Sequence, residues 1–400
     1  MSQPRRLRRL RRCARPPAWA LTVVGTTSTA HLLLLLLAGL RPPLGDSVRE
    51  GEDSLTIAVV VPAHDEAPHI TKTLDSIAAV EYDPARFRAV VVADNCSDHT
   101  AAVARDAGVH VLERVDPDHR GKGYALAWAF ERVLQDQAID AVCVIDADCE
   151  VSPNLLAAID RRLRAGAEAA QAAYIVSDPA ASTGAALRWA GFALFNVLRP
   201  RGRDRLGLSS GLLGTGMAFS RGLLERSPWS AFSYAEDREQ HMRWVRDGAR
   251  VAFVADAEVR TAAASDAGRA AQEARWESGR WSLATTLTVE LLARGTAERD
   301  LVAVEAALEP ALLPQSILAT TNLAAVACAF VAGPRGLRRV ACGALIGQAS
   351  YVVGGLIAVG APAPVWCAMA RVPAFVLRRL GVVSRVARGR GPAQWQRTHR

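Results

Sequence analysis

Two aspartates separated by one residue, Asp146 and Asp148, directly follow an apolar run at 141–145. Carboxylates at positions i and i+2 of an extended chain point to the same side, so both can face one ligand. Two negative charges held so close repel each other unless a cation lies between them. Mg²⁺ or Mn²⁺ suits carboxylates combined with substrate phosphates. The alternative is a solvated turn, but the strand-like run before the pair favours a ligand site.

Polar residues also follow two other apolar runs. Pro62 and Glu66 belong to the segment Pro-Ala-His-Asp-Glu after the run at 56–61, and Asp94 opens Asp-Asn-Cys-Ser-Asp after the run at 87–93. Short polar side chains in such turns can cap a helix or bind a ribose and a base. The segment that Asp94 opens is therefore a candidate for nucleotide contacts, whereas the segment from Pro62 to Glu66 is predicted to be a turn that opens a helix.

Lys122 lies between two glycines after the run at 109–112, and Lys72 is the only other lysine of the chain. Small neighbours let the backbone approach a ligand, and an ammonium group is a point charge suited to phosphate. The glycine spacing of a P-loop is absent. A plain flexible helix start is the competing interpretation.

A second acidic pair, Glu236 and Asp237, begins a helix-like stretch at 237–245 and follows Gly214 and Gly216 in the chain. Acidic residues in a first helical turn complement the helix dipole, which is the purely structural interpretation. A carboxylate at that position can instead accept a proton from an acceptor hydroxyl. The sequence leaves both interpretations open.

The last cluster is Gln272, Arg275 and Trp276, which share one face if their segment is helical. An amide, a guanidinium and an indole on one face suit a pyrophosphate and the flat face of a sugar ring. A helix lying at a membrane interface is the alternative.

The elements that position these residues alternate between strand-like and helix-like segments from about 55 to 265. This alternation predicts an α/β fold with a mainly parallel sheet covered by helices, such as 68–79 and 124–134. In such open sheets ligands bind beyond the carboxyl ends of the strands. The acidic clusters should therefore converge on one edge of the sheet.

Composition narrows the class of partner. Half of the 400 residues are hydrophobic, and 48 basic against 40 acidic residues give a net charge of +8. The arginines crowd beside apolar stretches at both chain ends, which favours an anionic membrane surface over nucleic acid, and we expect no nucleic-acid partner. Seven cysteines without a CxxC pair indicate reduced thiols rather than a zinc site or disulfides.

Long apolar runs at the chain ends predict membrane helices, because about 20 apolar residues span a bilayer. A signal peptide is the alternative for the first run, but that run is long and lacks a clear cleavage site. The stretch at 185–198 is amphipathic and either roofs the site at the bilayer surface or packs as a core helix. The predicted organisation is a basic segment at 1–17, a transmembrane helix at 18–40, the α/β domain at 55–285, an interface helix region at 286–310, transmembrane helices at 311–332 and 340–361 around a basic loop at 334–339, an interfacial or membrane helix at 364–384, and a basic cytoplasmic tail at 385–400.

The arginines from Arg371 to Arg400 predict a cytoplasmic C-terminus, and the two preceding passes then place the α/β domain in the cytoplasm as well. The basic residues before the first apolar run oppose this arrangement. The first segment is accordingly inserted against the charge rule, re-entrant, or different in extent from 18–40.

Taken in order, Pro62 to Glu66, Asp94, Lys122, Asp146 to Asp148, Gly214 to Gly216, Glu236-Asp237 and Gln272-x-x-Arg275-Trp276 resemble the motifs of inverting family 2 glycosyltransferases. The likeness is to the membrane-associated branch that includes cellulose, hyaluronan, chitin and poly-N-acetylglucosamine synthases. It covers about residues 55–285.

This resemblance implies a GT-A fold, a UDP-linked nucleotide-sugar donor, and a divalent metal, Mg²⁺ or Mn²⁺. Pro62, Glu66, Asp94, Lys122 and Asp146 would bind the donor and Asp148 the metal. Asp237 would be the general base. The diphosphate and acceptor would be bound by Gly214, Gly216, Glu236, Gln272, Arg275 and Trp276.

The function implied is an inverting transfer of a sugar to a growing cell-surface or extracellular glycan by a multi-pass membrane protein. One alternative keeps the fold but makes the acceptor a polyprenyl phosphate, which gives a lipid-linked sugar. The other is a non-enzymatic membrane scaffold whose basic ends bind anionic lipid or nucleic acid.

Overall fold

A computed structural model describes residues 5–41, 54–262 and 286–374 of the protein. The predicted face of Gln272, Arg275 and Trp276 lies outside the described residues. So do the predicted basic tail at 385–400 and residues 375–384 of the predicted helix at 364–384. The α/β domain is therefore described up to residue 262.

Residues 54–262 form one eight-stranded sheet with the strand order β3-β2-β1-β4-β7-β6-β8-β5. Strands β1 to β4 pair in parallel, whereas β7 is antiparallel to both of its neighbours, β4 and β6. The strands are β1 (Ile57–Ala63), β2 (Phe87–Asp94), β3 (His110–Arg114), β4 (Ala141–Val144), β5 (Cys149–Val151), β6 (Ala169–Val176), β7 (Met217–Ser220) and β8 (Val251–Thr261).

The helices of the described residues lie on both faces of the sheet and at both chain ends. They are α1 (Arg5–Gly39), α2 (Ile70–Ala78), α3 (Thr100–Asp106), α4 (Lys122–Val133), α5 (Leu155–Arg164), α6 (Thr183–Phe192), α7 (Arg199–Arg205), α8 (Arg221–Arg226), α9 (Glu236–Arg246), α10 (Thr286–Glu298), α11 (Leu301–Leu308), α12 (Gln315–Ala332), α13 (Arg335–Ala358) and α14 (Ala363–Ala368). Short 3₁₀ turns lie at Pro84–Arg86, Glu309–Ala311 and Met369–Arg371, and a π-helical segment spans Ala193–Leu198.

The first half of the sheet has the predicted parallel pattern. The four apolar runs form β1 to β4 close to their predicted bounds, and every residue of β4 is buried. Helices α2, α3 and α4 connect these strands, because parallel neighbours need crossover connections. The carboxyl ends of β1, β2 and β4 consequently lie at one edge of the sheet.

The second half of the sheet makes it mixed rather than mainly parallel. After β6 the chain leaves the sheet and passes through α6 and α7. It re-enters the sheet at the edge where β6 ended, so β7 runs antiparallel between β4 and β6. Strand β6 has the sequence AAQAAYIV, whose alanines favour helix over strand. Strand propensity therefore does not mark β6 in the sequence.

Two hydrophobic cores hold the helices on the sheet. Helices α2 and α5 cover one face, where their buried Leu and Ile side chains pack on β1 and β4. Helices α4 and α9 cover the other face around Phe219, Trp229 and Trp244. The fully buried Trp244 ring meets Phe219 and Trp229 edge-on, with centroids 4.8 and 5.9 Å apart. These cores set the position of the α4 and α9 N-termini relative to the sheet edge.

Helix α1 packs against α12 and α13, and together they form a bundle beside the α/β domain. Two described helical segments, Arg15–Gly39 and Arg335–Ala358, are long and apolar enough to cross a bilayer, and the apolar part of α12 is shorter. Helix α1 is one continuous helix through the first apolar run. Helix α13 already begins at Arg335, directly after Pro334, so the basic loop expected at 334–339 is largely helical.

The interior of this bundle contains hydrogen-bonded amides. The Asn322 side-chain amide donates to Gln348 Oε1 at 2.9 Å and to Thr29 Oγ1 at 3.3 Å. Asn322 is fully buried. Hydrogen bonds between helices stabilise association where apolar contacts alone give little specificity.

The segment from α6 to α7 joins the α/β domain to the bundle. A Cβ atom on Gly202 would lie 2.3 Å from the Leu35 carbonyl oxygen of α1, and one on Gly355 of α13 would lie 2.5 Å from Leu194 Cδ2. Only glycine permits approaches this close. The π-helical turn therefore packs closely between the sheet and the apolar helices α1 and α13.

Candidate active site

Lys122 is at the centre of the polar cluster at the sheet edge. Its ammonium group forms an ion pair with Asp146 Oδ1 and donates to the Gly214 carbonyl oxygen at 2.5 Å. The Asp146 backbone N–H in turn donates to Thr215 Oγ1 at 3.1 Å. The lysine thus joins the start of α4 to the segments that follow β4 and precede β7.

Two glycines allow Lys122 to reach this position. Gly121 has a φ of 127°, which an L side chain rarely adopts, and it immediately precedes α4. A Cβ on Gly123 would lie 2.2 Å from the Ala231 carbonyl oxygen. The Gly-Lys-Gly sequence therefore brings the helix start against neighbouring backbone and directs the lysine to the cluster.

Asp237 approaches the same cluster from the N-terminus of α9. A Cβ built on Gly214 would lie 3.6 Å from Asp237 Oδ2 and 3.7 Å from Lys122 Nζ, so all three groups meet around Gly214. Gly214 has a φ of 87°, so glycine suits both the backbone and the limited space. Residues separated by more than 100 positions in the sequence are brought together here.

The acids of α9 are difficult to ionise in this setting. Burial, and then the neighbouring Asp237, raise the pKa of Glu236 to about 7, although Lys122 opposes the rise. Burial also raises the pKa of Asp237, against the opposing charge of Arg238. Desolvation would lower the pKa of Lys122, but Asp146 and Glu236 outweigh it and the pKa is raised. The lysine stays charged, and one acid of the pair can exchange a proton near neutral pH.

Asp94 ends β2 in a separate buried network. Arg114 Nη1 and Asn95 Nδ2 donate to Asp94 Oδ1 at 2.6 and 2.9 Å, and the His64 ring lies 2.7 Å from the Asp94 carbonyl oxygen. Arg114 also donates to Asp116 Oδ2 at 2.8 Å. Sequence reasoning missed Arg114, whose only signal is that it ends β3 in register with Asp94.

The turn after β1 is hydrogen-bonded to the turn after β2. Asp65 accepts hydrogen bonds from the Ser97 backbone N–H at 2.6 Å and from its hydroxyl at 3.0 Å. Asp65 and Asn95 have φ values of 55° and 50°, a region that Asp and Asn tolerate better than other side chains. The Asp65 contact was not predicted, and it shows that the two turns form one rigid rim.

Pro62 and Glu66 belong to this rim. Pro62 is the penultimate residue of β1 and pairs with Val92. The Glu66 backbone N–H donates to Thr100 Oγ1 at 2.8 Å, and its carbonyl oxygen accepts from the first turn of α2. Backbone atoms of Glu66 thus hold the turn in place and leave its partly buried carboxylate at the sheet edge.

Gly216 differs from Gly214 in its surroundings. Its backbone N–H donates to the Val144 carbonyl at 2.8 Å, its own carbonyl accepts from Ala172, and a Cβ would lie 2.9 Å from Val259 Cγ2. Gly216 is buried between strands. The structure therefore brings Gly214, but not Gly216, against the charged side chains.

Two groups of described residues have the donor set for a cation: Asp146, Asp148 and Cys149, and Asp65 with Cys96 and Asp98. The second group already binds backbone, since Asp98 accepts from the N–H groups of Ala67 and Thr100. In the first group the carboxylates of Asp146 and Asp148 are partly exposed at the sheet edge. Oxygen ligands of this kind fit Mg²⁺ or Mn²⁺.

Two curated proteins are similar to part of the chain. The chain is 37% identical over 105 residues to a low-salt glycan biosynthesis hexosyltransferase, Agl6, of Haloferax volcanii, a match that covers 25% of this chain and 24% of that protein. It is 31% identical over 112 residues to a 4,4'-diaponeurosporenoate glycosyltransferase of Staphylococcus haemolyticus, covering 27% and 28% of the two chains. The chain thus matches about a quarter of the length of each of these relatives.

Among solved structures, the mannosyltransferase PcManGT of Pyrobaculum calidifontis, in complex with GDP-Man and Mn²⁺, has a TM-score of 0.56. It is 21% identical, and the alignment covers 86% of this chain and 98% of that one. The likeness extends over sheet and flanking helices and shows a GT-A type α/β fold with a mixed sheet. The sequence model of the family described as glycosyltransferase like family 2 matches residues 55–282, more than half of the chain, and the chain therefore belongs to that family of glycosyltransferases.

Proposed function

We propose that the chain is an inverting, membrane-associated glycosyltransferase that moves a sugar from a UDP-linked donor to a hydroxyl of a growing cell-surface or extracellular glycan. The observation that carries this proposal is the meeting of Lys122, Asp146 and Asp237 around Gly214. A single displacement at an anomeric carbon needs a base for the acceptor hydroxyl and positive charge at the leaving diphosphate. Asp237 can serve as the base, and Lys122, which is paired with Asp146, supplies the positive charge.

The donor would lie along the edge formed by β1, β2 and β4. Asp94, Pro62 and Glu66 would contact the nucleoside, and Asp146 the nucleotide. Asp146 and Asp148 would hold a Mg²⁺ or Mn²⁺ ion, whose chemistry there is to neutralise the charge of a diphosphate. Lys122 adds a fixed positive charge on the same side. Lys122 would favour departure of the diphosphate, because a fixed cation of the chain then meets the developing negative charge.

The acceptor hydroxyl would lie on the Asp237 side of Gly214. Asp237 accepts the hydroxyl proton as the acceptor oxygen attacks, and its raised pKa suits a base that must hold a proton afterwards. Glu236, with a pKa of about 7, can relay that proton to solvent. The transfer would be a single displacement without a covalent sugar intermediate, and a single displacement inverts the anomeric configuration.

We further propose that Gln272, Arg275 and Trp276 close over the diphosphate and acceptor. These residues lie outside the described part of the chain, and their role follows from the family motif alone. The closer functional relatives would be cellulose, hyaluronan and poly-N-acetylglucosamine synthases. Helices α1, α12 and α13 would anchor the enzyme in the cell membrane with the catalytic domain in the cytoplasm, where nucleotide sugars are made.

Nucleotide release tests the proposal. Full-length protein in native membranes should release UDP from at least one UDP-sugar in the presence of Mg²⁺ or Mn²⁺, and a panel that includes GDP-sugars identifies the donor. Asp237→Asn should abolish transfer, because the amide cannot accept a proton. Asp106→Asn, which changes an exposed aspartate at the end of α3, is the matched control. Equal transfer by the two variants would remove Asp237 as the base.

A further inference from the structure

Helix α1 runs antiparallel to α12. Near the start of α1, Ala18 shares a buried cluster with Ala329 of α12. Further along α1, the Thr29 hydroxyl accepts a hydrogen bond from the Asn322 side chain of α12 at 3.3 Å. The partner residue on α12 has a lower number as the chain of α1 advances, so the two helices point in opposite directions.

Helix α13 runs parallel to α1. A Cβ atom on Gly347 would lie 3.0 Å from Thr29 Cγ2, and one on Gly354 would lie 3.2 Å from Leu36 Cδ2. Here the number of the partner residue rises along α1. The start of α1, the end of α12 and the start of α13 therefore lie at the same end of the bundle.

The α/β domain lies at the other end of the bundle, where α1 ends. A Cβ atom on Gly39 would lie 3.4 Å from Leu198 Cδ1 and 3.6 Å from the Gly202 backbone nitrogen. We call residues 5–17 and 333–339 the distal end, because the length of the bundle separates them from the catalytic domain.

The bundle is long enough for a membrane to lie between its two ends. At 1.5 Å per residue, the apolar segments Arg15–Gly39 and Arg335–Ala358 are about 37 and 36 Å long, and the hydrocarbon core of a bilayer is about 30 Å thick. Helix α1 is continuous from Arg5 to Gly39, which does not fit a re-entrant first segment. The geometry favours a first helix that crosses the membrane against the charge rule.

The distal end is strongly basic. It contains ten arginines, seven of them at 5–15 and three at 335–339. The sequence has no acidic residue from 1 to 45 or from 310 to 400, so the positive charge of this end is not offset by a carboxylate of its own segments. Such an end attracts anions.

Apolar side chains adjoin the arginines of the distal end. Arg335 and Arg339 are exposed in the first turns of α13. Three apolar residues next to them are also exposed, by 43–57%: Phe330, Val331 and Val340. Arginines at the border of an exposed apolar band have the chemistry of a surface at the level of lipid headgroups. A nucleic acid would leave the apolar band uncovered.

We propose that the distal end binds the phosphate groups of anionic lipids, in the leaflet that faces away from the catalytic domain. This inference rests on the membrane anchoring in the proposed function and is independent of the reaction. With the catalytic domain in the cytoplasm, the distal end lies on the extracytoplasmic side. Anionic headgroups there offset the charge that crosses against the usual bias of arginine for the cytoplasm.

Labelling of amines tests on which side each end lies. Lys72 is exposed on α2, and the only other lysine, Lys122, is held in an ion pair. Gly336→Lys adds an amine to the distal end, where a Cβ atom meets open space. Sealed right-side-out and inverted vesicles of native membranes receive a membrane-impermeant amine reagent, and the labelled peptides are identified by mass spectrometry. Lys72 and the amine introduced by Gly336→Lys should label in vesicles of opposite orientation, and both should label after detergent is added.

Gly222→Lys is the matched control, because Gly222 is exposed on α8 of the catalytic domain and also has open space. Its amine should label together with Lys72. Labelling of Lys72 and of the Gly336→Lys amine from the same side of sealed vesicles would overturn the inference.

Lipid selectivity tests the partner. The full chain is reconstituted in vesicles of equal parts phosphatidylglycerol and phosphatidylcholine and extracted in mild detergent, and the lipids retained with it are quantified. Phosphatidylglycerol should be enriched. The double change Arg335→Gln and Arg339→Gln should lower this enrichment at least about fivefold, the effect of a single arginine at an anionic surface. Arg226→Gln, which breaks an exposed ion pair with Glu168 on the catalytic domain, should keep the enrichment of the wild type.

The outcomes separate this inference from the proposed function. Equal enrichment in the double variant and the wild type, or none in the wild type, would overturn the docking surface. Labelling of Lys72 from the outside and of the Gly336→Lys amine from the inside supports opposite sides but refutes a cytoplasmic catalytic domain. Failure of the wild type to release UDP refutes the proposed reaction and leaves the labelling result unchanged.

Discussion

Replacement of Lys122 by methionine is the most informative perturbation of the cluster, because it removes the charge and keeps the length of the side chain. In the wild type the ammonium group is paired with Asp146 and bonded to Gly214, and it opposes the rise in the pKa of Glu236. Without it, Asp146, Glu236 and Asp237 lose the cation that acts on all three, although Arg238 still acts on Asp237. We expect Lys122→Met to lose both activity and stability.

The expected size of each effect follows from the surroundings of the pair. Loss of one preorganised charge from a partly desolvated site lowers kcat about 100- to 1,000-fold. The side chains of Lys122 and Asp146 are 20% and 33% exposed, so solvent screens part of their attraction. A charged hydrogen bond in that setting contributes about 1–3 kcal/mol to the free energy of unfolding.

The pH dependence of kcat is a third measurement on Lys122→Met, independent of the losses of activity and stability. Loss of the cation disfavours the ionised form of Glu236, so its pKa should rise above about 7. If ionisation of the acid pair limits transfer, the acidic limb of the kcat profile moves to higher pH in Lys122→Met. A structural role for the lysine would lower activity at all pH values without moving that limb.

Lys72→Met is the matched control, since Lys72 is the only other lysine and lies exposed on α2. UDP release at saturating donor and thermal unfolding should be measured for both variants over pH 5.5–9. Lys72→Met should match the wild type. Wild-type activity, stability and pH profile in Lys122→Met would refute the assignment of the lysine to the diphosphate.

Three further predictions concern stability. Arg114→Gln leaves Asp94 buried without its cation and should lower the free energy of unfolding by about 3–5 kcal/mol in urea titrations, with an effect near zero counting against the buried pair. Gly123→Ala places a methyl group against a backbone carbonyl and should destabilise by more than about 1 kcal/mol, whereas Gly222→Ala, which has open space, should be neutral or stabilising. The pKa of Glu236 is raised from 4.5 to about 7 by folding, so its contribution to stability is fully present below about pH 4.5 and is lost as pH rises to about 7. Thermal unfolding of Glu236→Gln should lack that part of the pH dependence, and an unchanged curve would contradict the raised pKa.

The parallel half of the sheet could be predicted because its signals are local. Each strand of β1 to β4 is a short apolar run ended by a polar turn, and the carboxyl ends of parallel strands must share an edge. Asp94, Asp146 and Asp148 consequently lie on the predicted side of the sheet. Strands β5 and β6 lack this signal, since β6 is rich in alanine and β5 has only three residues.

The contacts of the cluster depend on positions far apart in the chain. Lys122 reaches Gly214 across 92 residues, and nothing around either residue indicates the other. Arg114 and Asp65 were missed for the same reason, because each acts through a partner on a different turn. Phe195 stood out only as part of an amphipathic stretch, whereas the arginines that lie over its ring, Arg199 and Arg238, come from α7 and α9.

The residue order alone determined the chemical class of the protein, because the acids, the lysine and the apolar runs are properties of single segments. Only the tertiary structure decided which of those groups meet, which acid becomes hard to ionise, and which carboxylate each buried cation pairs with. Burial and distance set these properties, and both arise when β4, the start of α4, the turn before β7 and the N-terminus of α9 pack together. A sequence specifies the groups available for chemistry, and packing specifies the electric field in which they act.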